Sequence, residues 1–206
     1  EIGVYGSEFD VHVTSDGIPI LNHDDTINGL KIESHPYTSF AGHLLPNGER
    51  IPTLAEYLAE GSKYPEMKLI LEIKSASAPE LETRWTELIT GIVNEMGLRE
   101  QVEYIAFSLH ICKEIVRLDP HAKVAYLNGD LAPDEVGKIG LTGIDYYHKV
   151  LEGNIEWLGQ ARMSGLTTNV WTVNDTEKMK FFIENGIDYI TTDKPEVLKS
   201  LPGTNE

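Results

Sequence analysis

Cysteine is almost missing from this 206-residue chain, Cys112 being the sole one. No disulfide can close within it, and cysteine usage leaves the redox compartment open. Positive charge is also scarce: 17 Lys and Arg stand against 33 Asp and Glu, a formal net charge of −16. Nucleic acid and anionic membrane are disfavoured as partners, because both are held by basic patches. An anionic substrate would need a cation local to its site. No apolar run reaches the roughly 18 residues of a membrane-spanning helix, and the first residues lack the basic and then apolar regions of a signal peptide. No G-x-G-x-x-G loop follows any expected strand, which argues against a dinucleotide-binding sheet.

What the chain does have is acid where strands ought to be apolar. Ser7-Glu8-Phe9-Asp10-Val11-His12-Val13 alternates, so Glu8, Asp10 and His12 share one face and Phe9, Val11 and Val13 the other. Leu69-Ile70-Leu71-Glu72-Ile73-Lys74 repeats the arrangement, with Ile70, Glu72 and Lys74 on one side. With the apolar faces packed against helices, the acids point into a barrel or crevice, where an ionised carboxylate is costly unless paired. A structural ion pair with Lys74 is one resolution. A hard cation bound by Glu8, Asp10 and Glu72 is the other, and Mg²⁺ or Ca²⁺ suits an all-oxygen set.

A helical stretch, a glycine and a short apolar strand recur around Gly97, Gly140, Gly165 and Gly186. Glycine just past a helix end accepts the left-handed conformation of that position. Glu1-Ile2-Gly3-Val4 opens the chain with the same phrase, as if a helix ended there. Strands are expected near Gly6–Val13, Lys68–Lys74, Val102–Ser108, Lys123–Asn128, Gly143–Tyr146, Thr168–Val173 and Tyr189–Thr192, with helices between them. Ile18–Asn22 should be extended, and Asp24–Ile51 irregular. Such alternation implies an α/β fold with a parallel sheet. Polar inner faces point to a single domain over residues 1–206, a (β/α)8 TIM barrel lacking its first strand–helix unit. A gap between Gly6–Val13 and Tyr189–Thr192 and an inactive chain are the corollaries.

At this point the residues resemble a family. Glu8-Phe9-Asp10-Val11-His12-Val13-Thr14-Ser15-Asp16-Gly17, followed by His23-Asp24, resembles the E-x-D-V-x-x-T-x-D-G…H-D signature of bacterial glycerophosphodiester phosphodiesterases. Ile51-Pro52-Thr53-Leu54-Ala55-Glu56-Tyr57-Leu58, Leu71-Glu72-Ile73-Lys74, Asn169-Val170-Trp171-Thr172-Val173-Asn174 and the stretch from Gly186 to Pro195 are similar to later family segments, in order. The resemblance implies a phospholipase C-like barrel that hydrolyses a glycerophosphodiester to glycerol 3-phosphate and an alcohol. It implies Glu8, Asp10 and Glu72 as ligands of one divalent cation, Mg²⁺ or Ca²⁺. By the same likeness His23 is one of two histidines acting as general acid and base, Lys74 lies close to the phosphate, and Trp171 lines the pocket for glycerol. The family's His-Arg-Gly strand and a later Glu-Asn pair have no counterpart here, and Phe107-Ser108 reverses the family's Ser-Phe order.

The residue types suit that chemistry. A phosphodiester is anionic and resists nucleophiles until its charge is neutralised. The leaving alkoxide needs a proton, which an imidazole of pKa about 6.5 can deliver. His35, His43 and His121 sit in polar, loop-like context and are expected in solvent; His110 reads as a helix-start residue. Tyr146-Tyr147 reads as packing, the acids of Leu81–Glu87 as a solvated helix face, and Cys112 as a small buried hydrophobe. Two alternatives stand beside the hydrolase. One is an incomplete barrel that binds a phosphorylated ligand without turnover. The other is a phospholipase C-like or D-like enzyme, against which the mostly polar Asp24–Ile51 argues. The partner is a small phosphodiester, without stable membrane insertion. A soluble protein of the periplasm, another extracytoplasmic space or the cytoplasm fits, any export signal lying upstream of the residues present.

Overall fold

The computed structural model describes residues 3–203. Ten strands appear in chain order: β1 (Gly6–Val13), β2 (Pro19–Leu21), β3 (Thr26–Ile27), β4 (Leu30–Lys31), β5 (Lys68–Ile73), β6 (Val102–Ala106), β7 (Val124–Tyr126), β8 (Gly143–Tyr147), β9 (Thr167–Trp171) and β10 (Tyr189–Ile190). The helices are α1 (Leu54–Gly61), α2 (Pro79–Glu95), α3 (Leu109–Leu118), α4 (Pro133–Lys138), α5 (His148–Gly153), α6 (Glu156–Met163), α7 (Thr176–Glu184) and α8 (Pro195–Lys199). One sheet runs β10-β9-β8-β7-β6-β5-β1-β2. Every neighbouring pair is parallel except β1 with β2. The curled parallel sheet with helices on its outer face is the barrel-type α/β architecture expected from the alternation.

Local signals account for most boundaries. Thr53 and Glu56 exchange the reciprocal hydrogen bonds of a capping box at the start of α1, Pro79 occupies the first turn of α2, and the Ser108 and Asp175 side chains cap α3 and α7. Gly97, Gly140, Gly165 and Gly186 all have positive φ, as helix-ending glycines should. The outward residues of β1 and β5 bury their side chains: Val11, Leu69, Leu71 and Ile73 have no exposed surface. They join the continuous core under the helices with Leu54, Ile89 and Ile115. Glu82 departs from the expected solvated face. It is buried and accepts a 2.7 Å hydrogen bond from Ser108 Oγ, which ties α2 to the start of α3.

The stretch expected to be irregular has structure of its own. β3 and β4 form a hairpin whose turn residues, Asn28 and Gly29, both have positive φ (52° and 79°), the Asn-Gly pattern of a two-residue turn. Beneath it Ile20, Ile27, Ile32, Phe40 and Ile51 make a second small core. His35 is half-buried there, not solvated, with Nδ1 donating to Lys31 O at 2.8 Å. Helix α5 was not foreseen either; it starts at His148, directly after β8.

The helix end read at Glu1-Ile2 lies outside the described residues. Among the described residues β1 and β10 share no ladder. β2 covers the upper part of the free edge of β1, pairing with Val11–Val13. Below it, a cleft of about 1340 Å³ opens between Gly6, Ser7 and Glu8 on one side and Tyr189, Ile190 and Thr191 on the other. At its base the Tyr5 and Tyr189 rings meet, with centroids 4.3 Å apart.

Candidate active site

β1 and β5 run side by side in parallel with Asp10 opposite Glu72. Their alternation turns Glu8, Asp10 and Glu72 to the lumen, where one oxygen from each lies within 4.8 Å of the others. Lys74, just past the end of β5, bridges two of them: Nζ is 2.7 Å from Asp10 Oδ1 and 2.8 Å from Glu72 Oε1. With all three acids ionised, one ammonium leaves an excess of two negative charges. That is the charge of one divalent cation, and three hard oxygens on a preformed wall suit Mg²⁺ or Ca²⁺. The ion-pair reading and the cation reading are therefore both present in the geometry.

The electrostatics show that Lys74 alone does not neutralise the cluster. Enclosing protein, then the negative charges of Asp10 and Glu72, push the Glu8 carboxyl up to about 8, against the pull of Lys74. Burial raises Glu72 to about 7, although Lys74 opposes it. Burial works against the charge on Lys74, yet Glu72 and Asp10 win and raise its pKa. A group of carboxylates that prefers to hold protons is short of positive charge.

His23 stands at the mouth on the loop after β2, its side chain 81% exposed. Nδ1 lies 2.8 Å from Asp24 Oδ1. The loop is anchored to the acid strand by the main chain, because Asn22 N donates to Asp10 O at 3.2 Å. Asn22 Nδ2 donates to Asp24 O at 2.7 Å, and the buried His12 ring touches His23 O at 3.5 Å. Burial lowers the pKa of His12, against the pull of the His23 main-chain oxygen. His110 Nε2 lies 2.8 Å from Thr83 Oγ1, as befits a helix-start residue.

Trp171 ends β9 on the opposite wall, its indole N–H donating to the main-chain oxygen of Asp145 at 2.9 Å. Phe107 meets it edge-on at 5.7 Å and Tyr147 lies 5.2 Å away. Both are partly exposed, so an aromatic wall lines the mouth. The Tyr146-Tyr147 pair divides. Tyr146 is fully buried with its hydroxyl on Leu131 O, and Tyr147 faces the mouth. The structure gathers Glu8, Asp10, Glu72 and Lys74 at one point; His23 follows β2 and Trp171 ends β9.

Comparison with known proteins decides the family. The sequence model of the glycerophosphoryl diester phosphodiesterase family matches residues 1–197. The chain belongs to that family.

Relatives of this family member span nearly all of it. It is 26% identical to a glycerophosphodiester phosphodiesterase of Caldanaerobacter subterraneus, over 98% of this chain and 87% of that protein. A crystal structure of a glycerophosphodiester phosphodiesterase from Parabacteroides distasonis superposes with a TM-score of 0.95 at 42% identity, covering 97% of this chain and 84% of that one. An Oleispira antarctica phosphodiesterase, solved with its product sn-glycerol-3-phosphate, shares the fold with a TM-score of 0.83 at 20% identity, over 97% and 85% of the two chains. Sequence reasoning missed one lumen residue of this phosphodiesterase-family chain, Asp145. It is 3% exposed on β8, and the alternation Gly143, Asp145, Tyr147 was the signal that could have found it.

Proposed function

We propose that the chain hydrolyses glycerophosphodiesters to glycerol 3-phosphate and an alcohol, with a divalent cation held by Glu8, Asp10 and Glu72. The observation that carries this is the convergence of the three carboxylates within 4.8 Å beside Lys74. When bound there, the cation supplies neutralising charge for the phosphate oxygens.

The chain's own residues do the rest. Lys74, already poised between two acids, offers a second positive group to the phosphate. His23 donates from Nδ1 to Asp24, which fixes its tautomer and leaves Nε2 to exchange a proton with the leaving oxygen. Trp171, its N–H already satisfied by Asp145 O, presents an apolar face to the glycerol carbons. The polar stretch around the hairpin favours a water-soluble headgroup over a lipid.

A chelator should abolish release of glycerol 3-phosphate from a glycerophosphodiester, and Mg²⁺ or Ca²⁺ should restore it. Turnover indifferent to EDTA would refute the proposal. A second reading, binding of a phosphorylated ligand without turnover, is favoured by the lack, among the described residues, of a ladder joining β10 to β1. Tight binding of glycerol 3-phosphate by the 206-residue chain, with no hydrolysis at any cation concentration, would select it.

A further inference from the structure

The His23 side chain is exposed and its Nδ1 bonds to its chain neighbour Asp24, so its place is set by the main chain on either side of it. Upstream, Asn22 N donates to Asp10 O. Downstream, Asp25 O accepts from Ile32 N at 2.9 Å, which passes the anchorage to the short 3-10 turn Ile32–Ser34. Glu33 on that turn reaches the loop after β5: Oε2 accepts from Ser77 N at 2.9 Å, and Oε1 accepts from Ser77 Oγ. Ser77 follows closely on Lys74, whose own amide donates to Val11 O at 3.1 Å. One carboxylate thus joins the stretch that follows His23 to the loop that follows Lys74. Among the described residues no other hydrogen bond links residues 24–51 to residues 74–78. Elsewhere the same stretch docks on the β1–β2 turn, where Ser15 N donates to His35 O and Tyr37 N to Asp16 Oδ1. The two segments, with His12 and Trp85, line a cavity of about 130 Å³, so their contact rests on bonds more than on close packing. Burial opposes the charge on Glu33, yet the Ser77 hydroxyl and amide, then Lys31, outweigh it and lower its pKa. An ionised acceptor that takes both donors of one residue makes a strong link.

We propose that Glu33 is a positioning residue, a latch whose two bonds to Ser77 hold the His23 loop against the loop after β5 and so set the imidazole for proton transfer to the leaving oxygen. Glu33 acts through the main chain: it fixes the turn, and the turn holds Asp25, two residues past His23. The cation site stands apart from it, because Glu8, Asp10 and Glu72 project from β1 and β5, which are joined by their own ladder. Lys31 Nζ lies 3.8 Å from Glu33 Oε1, so a role for the charge has to be separated from a role for the hydrogen bonds. The consequence for turnover rests on the proposed role of His23; the latch itself does not.

The test compares Glu33→Gln, Glu33→Ala and Ser77→Ala with wild type, and runs His23→Ala beside them. Glutamine keeps an oxygen for Ser77 N and offers an N–H to Ser77 Oγ, so E33Q retains the latch and loses only the charge. Its kcat should stay within about twofold of wild type. E33A loses both bonds and should lower kcat about tenfold, the scale of one hydrogen bond, with KM and Mg²⁺ affinity unmoved. S77A keeps the amide donor and should fall between, at about threefold. On a glycerophosphodiester whose leaving group is a nitrophenol, which departs without a proton, the E33A and His23→Ala losses should both shrink; mere loosening of the fold would slow both substrates alike. Hydrogen exchange should quicken at residues 22–35 and 74–78 in E33A and not in E33Q. Equal losses in E33Q and E33A, no loss in E33A, or unchanged exchange in E33A would overturn the latch. So would an E33A loss that persists on the nitrophenol ester while that of His23→Ala vanishes. If E33A does not fold, S77A carries the same comparisons. Should His23→Ala lose as much on both esters, or wild type turn over neither, the proposed function falls in that respect, and the exchange result still decides the latch.

Discussion

Replacing Glu72 by Gln is the sharpest probe of the candidate metal centre, because it removes one charge and almost no volume. Glu72 is 6% exposed, opposite Asp10 in the β1–β5 ladder, and its oxygen is one of three converging within 4.8 Å. One unit charge at ~4 Å, in an environment of effective dielectric ~20, interacts by about 4 kcal/mol, and by twice that with a divalent ion. Several terms reduce this. Gln keeps an oxygen ligand, solvent reaches the cleft, and the wild-type carboxyl, raised by burial to about 7, must give up a proton to bind. A net loss of about 2–4 kcal/mol remains, or roughly 30- to 1000-fold in cation affinity. The assay is calorimetric titration with Mg²⁺ and with Ca²⁺, alongside the melting temperature with and without cation. The cation-free variant should be no less stable than wild type, since an acid that burial disfavours has been removed. Affinity within about threefold of wild type would show that Glu72 is not a ligand, and the site would have to be redrawn.

His23→Ala should lower kcat by a factor on the order of 10²–10⁴ while leaving cation binding intact; the reverse pattern in kinetics and calorimetry would make His23 a ligand. Because Glu8 and Glu72 are raised to about 8 and about 7, chiefly by burial, a cation must displace their protons, so affinity should climb between roughly pH 6 and 8.5; calorimetry showing a flat profile would contradict the clustered acids. The same shifts set the sign for the cation-free fold. Unfolded carboxylates lose their protons near 4.5 while the folded ones keep theirs, so the melting temperature should fall as pH rises from there through 8. Leu71→Ala, at a position with no exposed surface beneath the helices, should cost about 2–5 kcal/mol in denaturant unfolding; a loss under about 1 kcal/mol would mean that this core relaxes around the cavity.

Periodicity made most of the strand–helix order legible, because a two-residue alternation and a glycine past a helix end are local properties. β1 emerged at Gly6–Val13 as read, and the other core strands shifted by a residue or two at their ends. The same alternation placed Glu8, Asp10, Glu72 and Lys74 on inner faces. Asn28-Gly29 announced a hairpin that was passed over among polar neighbours. What the chain order could not give was distance across the lumen. That Asp10 lies opposite Glu72, 62 positions later, follows only from the register of β1 on β5, which the packing of Leu69, Leu71 and Ile73 enforces. That Phe107, Tyr147 and Trp171 form one wall depends on three strands ending at one level. The alternation Gly143, Asp145, Tyr147 was legible along β8, but what Asp145 faces appeared only once the sheet curled. A carboxyl becomes buried only when strands from distant segments close around it, so the burial of Asp145 was decided by the tertiary structure and not by its neighbours in sequence.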